Sequence, residues 1–498
     1  MKHLKSNLNI LAAMFLMLAA TQPVRAQLYS SNDVNYHSFR SPMVTKLNPA
    51  AFPENSKFYV TLPRFDFDFS LPLGFNDIIS HDDQGAVIRI DSIMDKVTVK
   101  NQMRARMGLN FQMDMLGFGF RVKDMYFNFG SGLKLNTTIT LPLNTLRLVS
   151  DGNFGEYGRE GNITDINLGD DNIFRLQTYM YYSLGFAMKI PNTDATVGLR
   201  LNLLNGLEMV SVDKLGLHLI TDSANTRIMA TTDLYAYTSG VAPIVNDSKG
   251  LRINTDMFSN FSMKTVKQLL PKSMGFTFDL GAKYEWNNFI FSASIIDLGP
   301  GIHWTQNPVQ LSTKGSDTVV FEGIDLNRVI SQGGIDTGYT NSLKDSLFAL
   351  LDTAVSTNKF WYAIPTKVYL GASWSLNNML RVAALFHGEF EPSKKGHLIF
   401  RQNTTLSVHF SLYDWLELAA ANSFTFDGKR PDFFSPSASI SFNIGRVFQM
   451  YLTLDYLSDM RLSKAKAAHL YLGANITGYT KPKKVKTSSQ GNVQLEVE

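Results

Sequence analysis

"SMGFTFDLGAKYEWNNFIFSASIIDLGPGIHW", residues 273–304, decides how this chain folds. Its first half alternates without exception. Met274, Phe276, Phe278, Leu280, Ala282, Tyr284 and Trp286 fall on one phase; Ser273, Gly275, Thr277, Asp279, Gly281, Lys283 and Glu285 fall on the other. A period of two marks a β-strand whose two faces meet different surroundings. After an Asn287-Asn288 turn, a second strand sets Phe289, Phe291, Ala293 and Ile295 against Ser292 and Ser294, shifts phase at Ile295-Ile296 and runs into Gly299-Pro300-Gly301. That Gly-Pro-Gly marks the expected exit of the strand into a loop.

The same alternation recurs over 367–376, 380–390, 437–444, 448–456 and 470–476. These runs are longer than the five or six residues usual in soluble sheets and match a tilted bilayer crossing of about 9–11 residues. Two all-β folds compete: a soluble sandwich with its apolar faces inward, and a transmembrane antiparallel barrel with its apolar faces toward lipid. The polar phases carry Gly275, Thr277, Gly281, Ser373, Ser375, Ser437, Ser439 and Ser441, small residues that suit a crowded lumen. The barrel is therefore expected, with Phe289, Phe291, Ala293 and Ile295 on lipid and Ser292 and Ser294 inside.

Connection lengths give the strand number. Short turns at Lys123-Asp124, Pro191–Asp194, Asn287-Asn288, Asn377-Asn378, Tyr413-Asp414 and Gly445-Arg446 alternate with longer connections at 71–103, 141–172, 206–272, 300–360, 391–396, 427–433 and 458–466. This predicts about fourteen strands, an even number as single-chain outer-membrane barrels require. Trp286, Trp374 and Trp415 fall beside short turns and Trp304 and Trp361 bracket a long loop, so all five are expected at the membrane interfaces.

The flanks give the domain plan. Lys2, His3 and Lys5, the apolar run 10–20 and Val24-Arg25-Ala26 read as a secretory signal peptide, 1–26. Residues 27–56 lack alternation and are broken by Pro42, Pro49 and Pro53, so they are expected to fold into the lumen as a plug. The barrel is expected over 57–479, and 480–498 as a disordered periplasmic tail. The predicted location is the cell outer membrane.

Composition narrows the function. The formal net charge is +4, but Lys2, Lys5 and Arg25 lie in the leader, so the remainder is nearly neutral and nucleic acid is not an expected partner. Charged residues make up 18% against about 25% in ordinary globular chains, as lipid-facing strands require. With no cysteine, a disulfide scaffold, a thiolate zinc site and a lipid-acceptor residue are all excluded. No HExxH, phosphate-loop or GxSxG pattern is present, so neither an enzyme nor a cofactor or metal is expected. His387 and His409, on inward phases near Glu389 and Arg401, are candidates for a luminal network.

Two stretches carry a resemblance. "TKLNPAAFPENSKFYVTLP", 45–63, together with 271–304, resembles an uncharacterised domain-of-unknown-function family of Gram-negative outer-membrane proteins. More distantly the architecture is similar to the outer-membrane long-chain fatty-acid transporter (FadL-like) family. That likeness implies fourteen strands, a luminal hatch with an Asn-Pro-Ala element, here Asn48, Pro49, Ala50 and Ala51, and third and fourth outer loops that are the longest.

Those two loops supply the ligand-binding candidates. Phe258, Phe261, Leu269 and Leu270 in one, and Leu343, Leu347, Leu350 and Leu351 in the other, lie at helical spacing. Two partly helical outer loops could form an apolar groove, or only cap the barrel. In "NFQMDMLGFGFRV", 110–122, the outward set changes phase at Met115-Leu116, which signals a β-bulge. By the FadL-like resemblance, Met115, Leu116, Gly117 and Gly119 form a candidate lateral opening. The expected function is a passive channel for small hydrophobic molecules, with outer-membrane lipid and an apolar ligand as partners. The alternative is a non-transporting scaffold that meets periplasmic or cell-surface proteins, including secretion machinery.

Overall fold

The computed structural model describes residues 32–53, 56–71, 79–82, 85–88, 104–142, 163–167, 173–222, 227–240, 244–247, 250–253, 272–313, 319–322, 353–392, 398–412, 415–427, 430–445, 447–457 and 467–479. The expected leader and tail fall outside these residues. So do the loop candidates Phe258, Phe261, Leu269, Leu270, Leu343, Leu347, Leu350 and Leu351.

Fourteen antiparallel strands close into a barrel. Strand 1 is Ser56–Thr61 continued by Arg64–Ser70; strands 2 to 5 are Arg104–Val122, Met125–Pro142, Phe174–Lys189 and Ala195–Asp222. Strands 6 to 10 are Ser273–Trp286, Phe289–Trp304, Thr366–Ser375, Leu380–Pro392 and Leu398–Leu412. Strands 11 to 14 are Leu416–Asp427, Arg430–Ile444, Phe448–Asp455 and Ala467–Tyr479. The seam joins last to first, with Thr61 opposite Asn475 and Phe65 opposite Leu472. No sheet edge is left open within the ring, the condition for a sheet to cross a bilayer.

The alternation sorts the side chains as the two-solvent reading requires. On strand 6, Ser273, Gly275, Thr277 and Asp279 are buried while Met274, Phe276, Phe278 and Leu280 are exposed. Large apolar side chains stay exposed around the ring, from Leu184 at 66% to Leu406 at 50% and Leu472 at 44%. A belt of that extent fits hydrocarbon, not water. Trp286, Trp361, Trp374 and Trp415 point outward.

Several expectations are corrected. Trp304 is fully buried, not at an interface. Strand 7 does not end at Gly299-Pro300-Gly301; it runs on to Trp304, with Gly301 opposite Phe276 and Ile302 opposite Gly275. The phase slip at Ile296 is a bulge, with Asp297 at φ 59°, and a second bulge at Gly299-Pro300 undoes it, so Ile302 and Trp304 return to the inward phase of Ser292 and Ser294. Gly301 sits at φ 79° with its α-carbon hard against the Tyr362 carbonyl, where a Cβ would lie 2.2 Å from that oxygen. Only glycine fits such a place.

The long connections also contain strand. Strand 5 passes position 206 and reaches Asp222, paired with Arg227–Gly240. Leu207 is a bulge, left unpaired while Gly206 and Glu208 pair with Tyr179 and Thr178, so the alternation breaks although the ladder continues. Val309–Thr313 and Val319–Glu322 add to Arg227–Gly240, Thr353–Ser356 pairs with Val309–Thr313, and Phe360–Tyr362 pairs with the end of strand 7. At 427–433 the expected long connection is replaced by strand: Arg430 already pairs with Asp427.

Candidate functional site

Residues 32–53 lie against the inward faces of the barrel. Their sequence explains the lack of regular structure, since three prolines leave room only for short turns: a 3₁₀ turn at Asp33–Asn35 and one α-turn at Val44–Leu47. Val34, Tyr36, Phe39, Met43, Val44, Leu47 and Ala50 are all buried. Tyr36 and Leu47 cluster with Ile296, Tyr369 and Leu385, and Met43 with Tyr451 and Tyr471.

Polar contacts fix the position. Glu417 accepts from the Ser38 hydroxyl at 2.8 Å, the Phe39 amide at 2.8 Å and the Arg40 amide at 3.3 Å. Arg381 donates to the His37 carbonyl at 3.0 Å and covers the Phe39 ring at 3.9 Å. Arg200, held by Asp279, donates to the carbonyls of Thr45 at 2.7 Å and Lys46 at 2.8 Å. Lys46 pairs with Asp114, which also pairs with Arg64 at 2.7 Å and accepts from the Tyr181 hydroxyl. Burial, with the Arg381 charge adding to it, pushes the His37 imidazole from its ordinary 6.5 down to about 3, so it stays neutral.

Asn48 is fully buried. Its Nδ2 donates to the Tyr36 hydroxyl at 3.1 Å and to the carbonyls of Ala282 at 3.3 Å and Ala293 at 3.4 Å, while its Oδ1 accepts from the Ala50 amide at 2.9 Å. Pro49 and Ala50 press on strands 5 and 6 where Gly198 and Gly281 leave space. Ser294, read as luminal, donates to the Leu47 carbonyl at 2.6 Å.

Beyond this segment lies a cavity of about 260 Å³. Lys46 and Leu47 border it on one side; Asp68, Arg175, Gln177, Lys367 and Glu391 belong to its walls. An ion pair crosses the lumen from strand 4 to strand 9, Arg175 to Glu391 at 2.7 Å, and Glu391 also holds Arg401. Next to the cavity is an apolar cluster inside the barrel: Tyr179, Tyr181, Leu204, Met209, Ile302, Trp304, Phe360, Tyr362 and Ile364.

Met115 is a bulge, unpaired between Asp114 and Leu116. Met115 and Leu116 face outward, 46% and 51% exposed. Strand 1 breaks at the same level, at Leu62-Pro63, because Pro63 brings no N–H to the ladder. Asp114 fills the luminal side of the bulge. The structure thus places Met115, Leu116, Gly117 and Gly119 beside the Lys46–Asp114 contact, and Asn48 to Ala51 in a separate seat on strands 5 and 6. His387 meets Asp33 at 3.1 Å and His409 meets Ser407 at 3.0 Å. Arg200, Asp279, Asp114, Glu417 and Arg381 were not singled out by sequence reasoning. Their signal was there, a charge on an inward phase otherwise made of small residues. Among the described residues no group of three or more His, Asp or Glu could hold a metal ion.

A family model described as "Family of unknown function (DUF5723)" matches residues 49–455. No curated protein matches the sequence. Among solved structures, the Pseudomonas putida toluene transporter TodX aligns at 10% identity and TM-score 0.39, covering 92% of this chain and 99% of that one. A Pseudomonas aeruginosa FadL homologue aligns at 10% identity and TM-score 0.38, covering 91% and 99%. The CymD monoaromatic hydrocarbon channel aligns at 9% identity and TM-score 0.35, covering 88% and 92%.

Proposed function

We propose that the chain, which belongs to the DUF5723 family of unknown function, is an outer-membrane channel that passes small hydrophobic molecules without an energy source, with residues 32–53 as its hatch. The observation that carries this reading is how the lumen is filled. A segment of the chain is seated there among the wall's own side chains, packed by buried apolar groups and fixed in place by hydrogen bonds and ion pairs, with a cavity left beside it. The polar contacts exchange for water at modest net cost, so the segment can leave its seat without unfolding the ring.

The apolar cluster around Trp304 supports the hydrophobic substrate class. Apolar side chains packed within a lumen lower the free energy of an apolar solute in transit from water. From there the solute leaves sideways at Met115–Gly119, where the bulge in strand 2 and Pro63 in strand 1 interrupt adjacent ladders. Lys46 ties the hatch to Asp114, next to the bulge, so movement of the hatch and opening of the wall are coupled.

Two measurements test this. Native mass spectrometry of the full chain in mild detergent is expected to show a bound apolar molecule, and removal of residues 27–53 is expected to turn a closed barrel into a conducting pore in planar bilayers. A ligand-free chain whose truncated form stays closed would favour the scaffold reading, with its outer loops and tail as partner contacts.

A further inference from the structure

The cavity beside residues 32–53 has a charge pattern that an apolar solute leaves unused. Strand 1 contributes Asp66 and Asp68 to its wall. Asp66 accepts from the Asn32 side chain at 2.8 Å and meets His469 at 2.8 Å. Asp68, 6% exposed, has neither a hydrogen bond nor an ion pair with any described residue. Strand 8, half the circumference away, contributes Lys367, which has no carboxylate within 4.0 Å among the described residues. Strand 4 adds Gln177, 1% exposed, whose Nε2 has no acceptor there, and Arg175, 5% exposed, whose Nε and Nη2 have none either.

An acceptor on one wall and donors on the others are thus left unmatched around one space. Groups taken from water without partners are held at a cost unless something supplies the missing contacts. A neutral solute leaves both groups without a hydrogen-bonded partner, and a simple ion satisfies only one wall. We infer that the cavity binds a small zwitterion, an amino acid or short peptide, with its ammonium on Asp68 and its carboxylate on Lys367, Gln177 Nε2 and the spare N–H groups of Arg175. The volume of about 260 Å³ lies just under the usual range of small-molecule sites, which starts near 300 Å³. Charge-assisted contacts at both ends fix the orientation. The site does not rest on the apolar route, and its failure would leave that route untouched.

The test is calorimetric titration of the full chain in detergent with three probes: alanyl-alanine, its N-acetyl form and its C-terminal amide. The free dipeptide is expected to bind, and each blocked form to bind at least about tenfold more weakly, the scale of one charge-assisted contact. Asp68→Asn is expected to weaken the free dipeptide by a similar factor and leave the N-acetyl form unchanged; Lys367→Gln is expected to do the same for the free dipeptide and leave the amide unchanged. Equal binding of the three probes to the unaltered chain, or no saturable binding of the free dipeptide up to about 10 mM, overturns the inference. If either variant loses the heat-modifiable migration of a folded barrel, the three titrations of the unaltered chain decide alone.

Discussion

Gly198 and Gly281 do at the residue scale what no side chain could. A Cβ on Gly281 would lie 2.2 Å from Asn48 Oδ1 and 2.8 Å from the Ala50 amide nitrogen; one on Gly198 would lie 2.4 Å from the Pro49 carbonyl. Gly281→Ala is therefore expected to leave the strand intact and weaken the seat of residues 32–53 by about 1–3 kcal/mol, the cost of overpacking. Protease cutting within that segment of the folded barrel measures it, and unchanged resistance would refute it. His37 gives a second expectation. Its seated pKa of about 3 lies below the 6.5 of a solvated imidazole, so the seat is at full strength above about pH 6.5 and weakens as pH falls toward 3, because the released state takes up the proton. By about pH 5.5 the loss is about 1.4 kcal/mol, roughly tenfold in the released fraction. The charges acting on His37 are those of Arg381 and Lys283, and both lower its pKa. Protease cutting that rises with acidity in the unaltered chain, and stays flat in His37→Gln, is the expected pair of results. Sequence marked Asn48 to Ala51 through a resemblance alone; that Gly198 and Gly281 are their partners could not be read, since a strand glycine looks the same whatever it faces.

Strands were legible wherever the two faces met different solvents over an unbroken ladder, as on strand 6. They became illegible where a bulge changed the phase. Strand 7 beyond Asp297 and strand 5 beyond Leu207 both continue as paired strand, yet each loses its periodicity there and has the sequence pattern of a loop. Strand 2 shows the opposite case, since a slip at Met115 within otherwise strong alternation identified its bulge. That bulge carries its own expectation. Deleting Met115 places Leu116 directly after Asp114 and restores an unbroken alternation with Phe111 and Met113, so the barrel should still form. If the bulge is the side exit, vesicles bearing the deleted form should take up a fluorescent fatty acid at least about tenfold more slowly, because the wall no longer opens there, as an element-level change in gating predicts. Undiminished uptake would remove the bulge from the route and leave it a device of curvature.

At the scale of the whole molecule, the number of strands and their closure followed from turn and loop lengths, because a ring needs only its neighbours in sequence. The interior did not, since its contacts join inward faces of strands far apart in the chain. Arg175 and Glu391 show this: four strands separate them in the chain, yet they brace strand 4 against strand 9. A buried bridge of this kind adds little net stability over an apolar pair, because desolvation offsets attraction, whereas removing one partner strands the other. Glu391→Gln leaves Arg175 without its carboxylate and deprives Arg401 of one of two, Glu389 remaining at 3.1 Å. The barrel should lose about 3–5 kcal/mol in urea unfolding followed by tryptophan fluorescence. Adding Arg175→Met to Glu391→Gln removes the stranded cation, so the double variant should recover more than half of that loss. A double variant as unstable as Glu391→Gln alone would mean that the bridge stabilises the ring in its own right, and that the luminal charges serve the fold before they serve any solute.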